Sequence, residues 1–420
     1  MYLSIPTNWD NRIVDKIREI NSSSDYCYKV GSVYGAFLTK IGSGRFETPN
    51  ISEEYAQEHI RKIKKLGVKF NFVANSPSLS NSNGAMSTIF FNISKFLLIN
   101  RLKVIQATLG PIRKIKKLGV KFNFVANSPS LGGKEHDVTY REELLGEIER
   151  IVNLGVEMIT VSIPFLGELI NYHFPHIEVK MSTMLDIRDI QHINLINQMG
   201  PKVACITLSR FINRNFELLK NMVDIAPFEL ELLANSLCLH NCPYQMYHSD
   251  LVCWQARKKR GWEEPFADYR AVACDRIRFT DKSQVIKSPW IRPEDLNEYE
   301  QIGISSIKIA GRTFPTEWII NIVEAYARGS YSGNMWDLIL PFQDIYVDNR
   351  KLNNFLKHFK NNRPSCDSNC GKCRYCEKIA EDVVSYGDET EEYLIDLEKR
   401  LDARINTVDT LPPYFKESRV

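Results

Sequence analysis

The sequence lacks the short motifs that mark several large classes of enzyme. No GxGxxG, GxxxxGK[ST], GxSxG or HExxH pattern occurs in the 420 residues. Nucleotide kinase, lipase-like and zincin functions therefore have no support from motifs. A strong charge imbalance is also absent, because the formal net charge is only +3. Such a balance gives no strong drive toward nucleic acid or a membrane surface.

The sequence also lacks a long apolar run and an export signal. The longest apolar stretch, around Ile89 to Ile99, is interrupted by three polar residues and is too short to span a bilayer. Met1 to Asp10 shows neither a basic segment nor a long apolar core. Ten cysteines without an export signal predict a reducing compartment and metal ligands rather than disulfides. We therefore expect a cytoplasmic protein with no membrane contact.

What is present is a regular alternation of strand and helix patterns, which is typical of an α/β fold with parallel strands. Strand patterns occur at residues 2–5, 28–33, 68–74, 158–163, 177–181, 203–208, 228–233 and 307–309. With about eight helical patterns, they predict a TIM-type (β/α)8 barrel over residues 1–330. A doubly wound open sheet would favour a glycine-rich nucleotide loop after the first strand, and none is present. Residues 331–420 are expected to form a small cysteine-rich α+β extension.

One internal duplication interrupts this order. Residues 60–79 recur letter for letter as 112–131. A true structural repeat drifts in sequence and usually appears three or more times, so a recent duplication or a gene-model error explains the pair better. We expect one copy, with residues 80–111, to form a poorly ordered insertion that leaves the barrel. The repeated basic run is interpreted as a solvated helix face rather than a nucleic-acid patch.

Four cysteines follow the strand pattern at residues 228–233. This central cysteine set consists of Cys238, Cys242, Cys253 and Cys274. Thiolates so closely spaced beyond a strand end indicate a zinc ion or an iron–sulfur cluster. Buried, unligated thiols are the alternative, because free cysteine is among the most buried residue types.

A second group of cysteines lies in the extension. This tail cysteine set consists of Cys366, Cys370, Cys373 and Cys376. Four cysteines within eleven residues predict a metal site, and the tight run favours iron–sulfur over a zinc ribbon, although zinc stays open. The first three also match the radical-SAM spacing, but that motif is expected early in its barrel. We therefore interpret the tail set as an auxiliary cluster or a structural site.

Polar side chains near the predicted strand ends are the candidates for chemistry, because TIM-barrel enzymes function at the carboxyl ends of their strands. They are Thr7, Tyr34, Asn127, Ser182, Ser209, Arg210, Glu231, Asn235, His248 and Arg312. Lys308 and Arg312 suit an anionic substrate or a donor carboxylate, and a solvated strand end is the alternative. His248 suits proton transfer near neutral pH, or is a packed structural histidine.

Several segments together resemble the collagenase-like peptidase family of unknown catalytic type. They are Tyr34-Gly35, Gly42 to Arg45, Asn127-Ser-Pro, Glu231 to Cys238, Cys242-Pro-Tyr, Tyr247-His248 and Lys308 to Arg312. The resemblance covers roughly residues 1–330. The gap between the first two cysteines is shorter than in the family's best-known pattern, which indicates a divergent branch.

The resemblance implies a TIM-type barrel carrying a cysteine-ligated [4Fe-4S] cluster. The central cysteine set is then the cofactor-binding group. Glu231, Asn235, His248 and Arg312 are the implied catalytic candidates. Tyr34, Arg45, Asn127 and Lys308 are the substrate-binding candidates. A cysteine–histidine nucleophile pair of His248 and Cys253 is discounted, because a ligated thiolate is not free to attack a peptide.

Characterised members of this family are peptidases or oxygen-independent hydroxylases of RNA bases or quinone precursors. The first hypothesis is an iron–sulfur enzyme of oxygen-independent hydroxylation or related redox modification. The second is a peptidase, although no nucleophile, metal-bound water or acid pair is identifiable. The third is a non-catalytic scaffold that binds RNA or protein, supported only by the basic run Arg257 to Arg260. Expected partners are an RNA, small anionic or peptide substrate, with a redox partner or a hetero-oligomer as further options.

Overall fold

A computed structural model describes residues 1–35, 59, 62, 66, 69–72, 74–75, 123–127, 129–131, 133–153, 158–198, 202–258, 269–311, 314–361, 366 and 369–405. Its strands are β1 (Tyr2–Pro6), β2 (Lys29–Gly35), β3 (Lys69–Phe72), β4 (Ala74–Asn75), β5 (Asn123–Ala126), β6 (Met158–Val161), β7 (Glu178–Met181), β8 (Val203–Thr207), β9 (Glu229–Leu233), β10 (Ser306–Lys308), β11 (Ile345–Val347) and β12 (Val384–Tyr386).

The α-helices of the described residues alternate with the strands and then continue through the extension. They are α1 (Asn11–Ser22), α2 (Val138–Asn153), α3 (Pro164–His173), α4 (Ile190–Gln198), α5 (Phe216–Ile225), α6 (Gln245–Lys258), α7 (Tyr269–Thr280), α8 (Ser283–Lys287), α9 (Leu296–Gln301), α10 (Thr316–Arg328), α11 (Lys357–Asn361), α12 (Cys370–Cys373), α13 (Tyr375–Val383) and α14 (Thr390–Ile405). None of them is both long and apolar enough to cross a membrane.

Ten of the strands form one parallel sheet. Their order is β3-β2-β1-β10-β9-β8-β7-β6-β5-β4, and every pair of hydrogen-bonded neighbours is parallel. β10, the last strand of this sheet along the chain, therefore lies beside β1, the first. This arrangement confirms the predicted α/β, TIM-type class, and it brings the carboxyl ends of distant strands to one face.

The duplicated segment contributes strands from both of its copies. β3 and β4 come from the first copy and β5 from the second. β3 pairs with β2 while β4 pairs with β5, and one residue separates β3 from β4, so the two ends of the sheet meet. The expectation that one copy leaves the barrel is therefore wrong for these strands, and the second copy adds a strand to the expected eight. A parallel strand is covered on both faces, so one sequence suits two neighbouring positions. Residues 80–111 lie outside the described part of the chain.

The first and last barrel helices show how the sequence builds the outer layer. α1 begins at Asp10, whose side chain accepts a hydrogen bond from the Arg12 amide at 2.8 Å. Its buried residues Ile13, Val14, Ile17 and Ile20 recur at helical spacing. α10 packs beside α1 and ends at Gly329, whose φ of 68° terminates the helix. The two helices cover adjacent strands at the point where the chain closes.

The extension packs directly on the barrel. β11 pairs with β12 in an antiparallel ladder, and α13 packs against α8. The ring of Trp290 stacks on Phe355 with centroids 5.6 Å apart. Arg292 donates to the carbonyl oxygens of Leu352 at 2.5 Å and Asn349 at 3.2 Å. Barrel and extension therefore share one continuous apolar core.

Candidate active site

A charged residue lies inside the barrel in the middle of β9. Glu231 is 2% exposed, and its strand neighbours in register are Thr207 of β8 and Ser306 of β10. Oε1 accepts from Lys180 Nζ at 3.0 Å and from Thr207 Oγ1 at 2.8 Å. Oε2 accepts from Ser306 Oγ at 3.2 Å. Glu231 was expected at the strand-end face. It lies two residues before the end of β9, and its hydrogen bonds with Lys180, Thr207 and Ser306 place its side chain in the interior.

The electrostatics of this interior group keep Glu231 and Lys180 charged. Burial alone raises the pKa of Glu231, but Lys180, Lys308 and the hydrogen bonds outweigh it, so the pKa is lowered. Burial alone lowers the pKa of Lys180, but the charge of Glu231 outweighs it and the pKa is raised. The pair is therefore an ion pair at neutral pH, in a place where an unpaired charge is very costly.

Two of the predicted substrate-binding residues lie next to this pair. The ammonium of Lys308 lies 5.1 Å from the centre of the Tyr34 ring, within cation–π distance. The Tyr34 hydroxyl donates to the carbonyl oxygen of Ile309 at 2.5 Å. Lys308 is also close enough to lower the pKa of Glu231. The interior thus combines two cations, one carboxylate, a phenol and two aliphatic hydroxyls.

Asn235 fixes the loop that follows β10. Its Nδ2 donates to the carbonyl oxygen of Ala310 at 2.9 Å, and its Oδ1 accepts from the Ala310 amide at 2.7 Å. The next residue, Gly311, has a φ of 121°, and a Cβ there would collide with the Trp318 ring. Asn235 and Gly311 therefore define the course of the backbone at the barrel mouth. Asn235 contributes to the site as a positioning residue, because it holds the Ala310 backbone in place.

The loop after β9 carries the first two cysteines of the central set to the barrel mouth. The carbonyl oxygen of Leu237 accepts from Arg278 Nη2 at 2.9 Å and from Ser288 Oγ at 3.4 Å. Arg210, at the carboxyl end of β8, donates from Nη1 to Cys238 Sγ at 3.0 Å. A cation that donates to sulfur stabilises the thiolate form that a metal requires.

Three members of the central cysteine set lie close together. Burial raises the pKa of the Cys274 thiol to about 11, against the opposing charge of Arg278. The Cys242 and Cys238 thiols raise that pKa further, which places all three within electrostatic reach of one another. Cys253 lies on α6, but its side chain is outside the described part. The structure therefore brings together the predicted thiols that it describes.

The surroundings of these thiols suit a bound cluster in their chemistry. Within the described ranges, no three His, Cys, Asp or Glu side chains stand in metal-binding geometry, so the fit depends on the donor chemistry. The thiols are soft donors with no carboxylate hydrogen-bonded to them in the described part. Buried polar atoms without a described partner surround the loop: Ser236 Oγ, Gln245 Nε2 and Oε1, Arg210 Nε and Arg278 Nε. Hydrogen-bond donors near sulfur suit an iron–sulfur cluster held by the central cysteine set.

The tail cysteine set is also brought together. Burial raises the pKa of Cys376 to about 11, against the charge of Arg214, while Cys366 and Cys370 raise it further. Burial likewise raises the pKa of Cys370, to which Cys366 and Cys373 contribute. Cys373 Sγ lies 3.4 Å from Nε2 of His358. The tail thiols therefore lie within electrostatic reach of one another, although no three of these described thiols stand in metal-binding geometry.

The other predicted site residues are more scattered or lie outside the described part. His248 is half-buried on α6, where its amide bonds to the carbonyl of Tyr244 at 2.7 Å. Asn127 Nδ2 lies 3.4 Å from the sulfur of Met184. Arg45 and Arg312 fall outside the described residues, as do the side chains of Arg257 to Arg260. Cys205 is buried as expected of a core residue, whereas Cys27 is exposed.

Lys180 is the interior residue that sequence reasoning missed. It lies in β7, whose sequence Glu-Val-Lys-Met was treated only as a strand. Parallel strands of a barrel are covered on both faces, so a lysine in mid-strand requires a partner inside the protein. That requirement was the available signal, and Glu231 is the partner.

Comparison with known proteins agrees with the motifs. Residues 134–330 match the sequence model of Peptidase family U32. An "Uncharacterized protease" of Methanocaldococcus jannaschii is 28% identical over 276 residues, which cover 64% of this chain and 79% of that protein.

Two solved structures show a weaker likeness. A U32 peptidase superposes with a TM-score of 0.42 and 11% identity, covering 74% of this chain and 94% of its own. D-Psicose 3-epimerase of Clostridium cellulolyticum H10 has a TM-score of 0.35 and 12% identity, covering 66% and 98%. Both TM-scores are below 0.5, so the fold assignment depends on the strand pairing described above. Over residues 134–330 the match confirms the resemblance to Peptidase family U32, the collagenase-like family that the motifs predicted.

Proposed function

We propose that this protein is an iron–sulfur enzyme that modifies an anionic substrate by oxygen-independent hydroxylation or a related redox reaction. One observation carries the proposal: the loop with Cys238 continues directly from the strand that holds Glu231 in the charged interior. A redox group at the mouth would then lie next to a buried acid–base pair. Such an arrangement suits redox chemistry coupled to proton transfer.

The overall reaction can be balanced without molecular oxygen. The substrate loses a hydrogen and gains a hydroxyl group, which is a two-electron oxidation. An organic hydroxyl donor loses that hydroxyl, gains the hydrogen, and is reduced by the same two electrons. When bound, the cluster would supply one-electron transfer between the two halves of the reaction.

The protein's own residues have separate roles in this proposal. Lys180 is protonated beside Glu231 and can donate that proton to a leaving oxygen. The negative charge of Glu231 then favours the return of a proton to Lys180. Lys308 and Tyr34 supply a cation and a polarisable ring for an anionic group such as a carboxylate or phosphate. Asn235 holds the Ala310 backbone that borders the entrance.

The second candidate is a peptidase, which the family's description names. Burial disfavours Cys205 as a nucleophile, because it raises the pKa of that thiol to about 12. A thiol with such a pKa is almost entirely protonated at neutral pH, whereas a nucleophile must be a thiolate.

The test is a product search in cells of the native host. Extracted RNA and small molecules are compared by mass spectrometry between cells that lack the gene and cells in which it is restored. We expect products heavier by one oxygen atom in the restored cells. Glu231→Gln should abolish these products while the purified variant keeps the iron content of the wild type.

Glu229→Gln is the matched control, because it makes the same change two residues earlier on β9, where the Tyr2 hydroxyl donates to Glu229 at 3.1 Å. It should leave the products in place. Cleavage of gelatin or peptides by protein stripped of iron, with no oxygen-shifted product in cells, would establish the peptidase instead. Loss of the products in both variants would refute the role given to Glu231.

A further inference from the structure

The tail cysteine set is shaped by an unusual turn. Cys370 and Cys373 lie on α12 and Cys376 on α13, and Arg374 alone separates the two helices. Arg374 has a φ of 50°, a left-handed conformation that costs a non-glycine residue roughly 1–2 kcal/mol. This turn redirects the chain between the helix that carries Cys373 and the helix that carries Cys376. Strain of this kind persists where the surrounding structure requires it.

A buried cation lies in an aromatic cage that the extension helps to form. Arg214 is 8% exposed and is enclosed by the rings of Trp290, Phe355 and Phe359 at 4.7, 4.9 and 5.4 Å. It donates to the carbonyl oxygens of Ile286 at 2.6 Å and Ser288 at 2.7 Å. No carboxylate lies within ion-pair distance of it in the described part of the chain, and its Nε has no described partner.

Carbonyl oxygens and aromatic rings solvate Arg214 but carry no net charge, so a nearby anion would favour its buried guanidinium. Phe355, which contacts Arg214, also stacks on Tyr375, the residue before Cys376, with ring centroids 6.0 Å apart. A metal-bound cysteine is a thiolate, so a ligated tail cysteine set would supply negative charge next to this cage.

The same part of the protein touches the central cysteine set. Ser288, at the end of α8, donates to the carbonyl of Leu237, the residue before Cys238. α8 also packs against α13, which carries Cys376. Lys287 of α8 lies within electrostatic reach of Cys370 and Cys376, and also of His240 in the central loop. One short helix and the serine that follows it thus contact the segments that carry both groups of cysteines.

We propose that the tail cysteine set binds a second [4Fe-4S] cluster, which passes electrons across the Arg214–Lys287 region to the cluster of the central set. The first half of this proposal is independent of the proposed function, and the second half depends on it. In each transfer the tail cluster loses one electron and the central cluster gains it. A low-potential one-electron donor protein then reduces the tail cluster again. The exposed thiols of Cys366 and Cys373 place that cluster near the surface, where such a donor can reach it.

The test compares iron, sulfide and zinc in protein purified without oxygen. Wild type should contain about eight iron atoms per chain, as expected for two [4Fe-4S] clusters. The tail variant Cys370→Ser/Cys373→Ser and the central variant Cys238→Ser/Cys242→Ser should each keep about four. Cys27→Ser, which changes an exposed cysteine outside both sets, is the matched control and should keep all of the iron.

Electron paramagnetic resonance of dithionite-reduced protein tests the contact between the clusters. Each double variant should give the spectrum of one isolated cluster, while the wild type should show broadening from spin–spin interaction. A wild-type spectrum equal to the sum of the two variant spectra would overturn the electron-transfer contact. Lys287→Gln keeps the full iron content but should lower the reduction potentials of both clusters, and unchanged potentials would overturn the placement.

The metal content separates failure of this proposal from failure of the proposed function. Full wild-type iron in the tail variant, or zinc in place of the tail iron, would overturn the second cluster. If all of the iron is bound by the tail set, the tail variant would contain none and the central variant would keep all of it. That result would support the tail cluster and refute the proposed enzyme.

Discussion

Replacing Lys180 by methionine tests the interior ion pair directly. The change removes the ammonium 3.0 Å from Glu231 but keeps a side chain of similar length. Glu231 would keep its hydrogen bonds from Thr207 and Ser306 but lose its counter-ion. Removing one partner of a buried ion pair costs about 3–5 kcal/mol, because the other charge is left uncompensated.

This cost converts into a modest thermal shift, because the chain is long. Unfolding entropy is about 2.1 cal/mol/K per residue, so 420 residues unfolding as one unit would shift the midpoint by roughly 3–6 °C. Replacing both partners, as Lys180→Met/Glu231→Leu, should recover most of this loss, because neither member of the pair is left uncompensated. The double variant is therefore the control for a simple packing defect.

The pH dependence has a definite sign. In the wild type the pKa of Glu231 is lowered below its ordinary 4.5, so its contribution to stability is present above pH 4.5 and is lost as the pH falls through the lowered pKa. In Lys180→Met, burial dominates and raises the pKa of Glu231 above 4.5. That variant should therefore lose stability as the pH rises through the raised pKa.

Thermal denaturation at several pH values, followed by circular dichroism, measures these effects. The account requires a coupling free energy between the two substitutions of at least about 1 kcal/mol. Additive effects of Lys180→Met and Glu231→Leu, or equal midpoint losses for Lys180→Met at low and neutral pH, would refute the ion pair.

Three further predictions concern single residues. Arg210→Gln removes the donor to Cys238 and should lower the potential of the central cluster in a redox titration, with iron content unchanged; an unchanged potential would contradict the contact. Asn235→Ala should cost about 1–3 kcal/mol in urea unfolding, because the Ala310 amide and carbonyl lose their partner. Asp295→Asn should stabilise the protein at pH 8 but not at pH 4, by up to about 3 kcal/mol. Burial raises the pKa of Asp295 from 3.8 to about 6, so ionisation costs stability as the pH rises through that range, and equal effects at both pH values would exclude it.

The alternation of strands and helices was enough to predict the fold. Strand patterns such as 203–208 and 228–233 correspond to β8 and β9 within one or two residues. Parallel strands carry continuous apolar runs, and these are easily recognised. The duplicated segment was misjudged, because identical sequence gives no sign of whether two copies share one position or occupy two neighbouring ones.

The site was predictable where the residues lie on one segment. Glu231, Asn235 and Cys238 are close in the chain and stay close in the fold. Lys180 was not predictable in this way, because β7 meets Glu231 only through the curvature of the sheet, across β8. Proximity of that kind depends on the closing of the barrel and leaves no mark in local spacing.

The link between the two groups of cysteines was equally hidden. More than ninety residues separate Cys274 from Cys366, and the contact depends on α8 lying between them. Arg214 gave no sequence signal, because a lone arginine in a loop is usually solvated. Its burial among aromatic rings follows only from the docking of the extension.

The most direct test of the central claim is the metal content of the tail variant Cys370→Ser/Cys373→Ser, purified without oxygen. In that variant any remaining iron reports on the central cysteine set alone. The account predicts about four iron and four sulfide per chain, with a visible thiolate-to-iron absorption band, and both should disappear when Cys238 and Cys242 are also replaced by serine. Zinc in the central set, or no metal at all, would contradict the iron–sulfur enzyme.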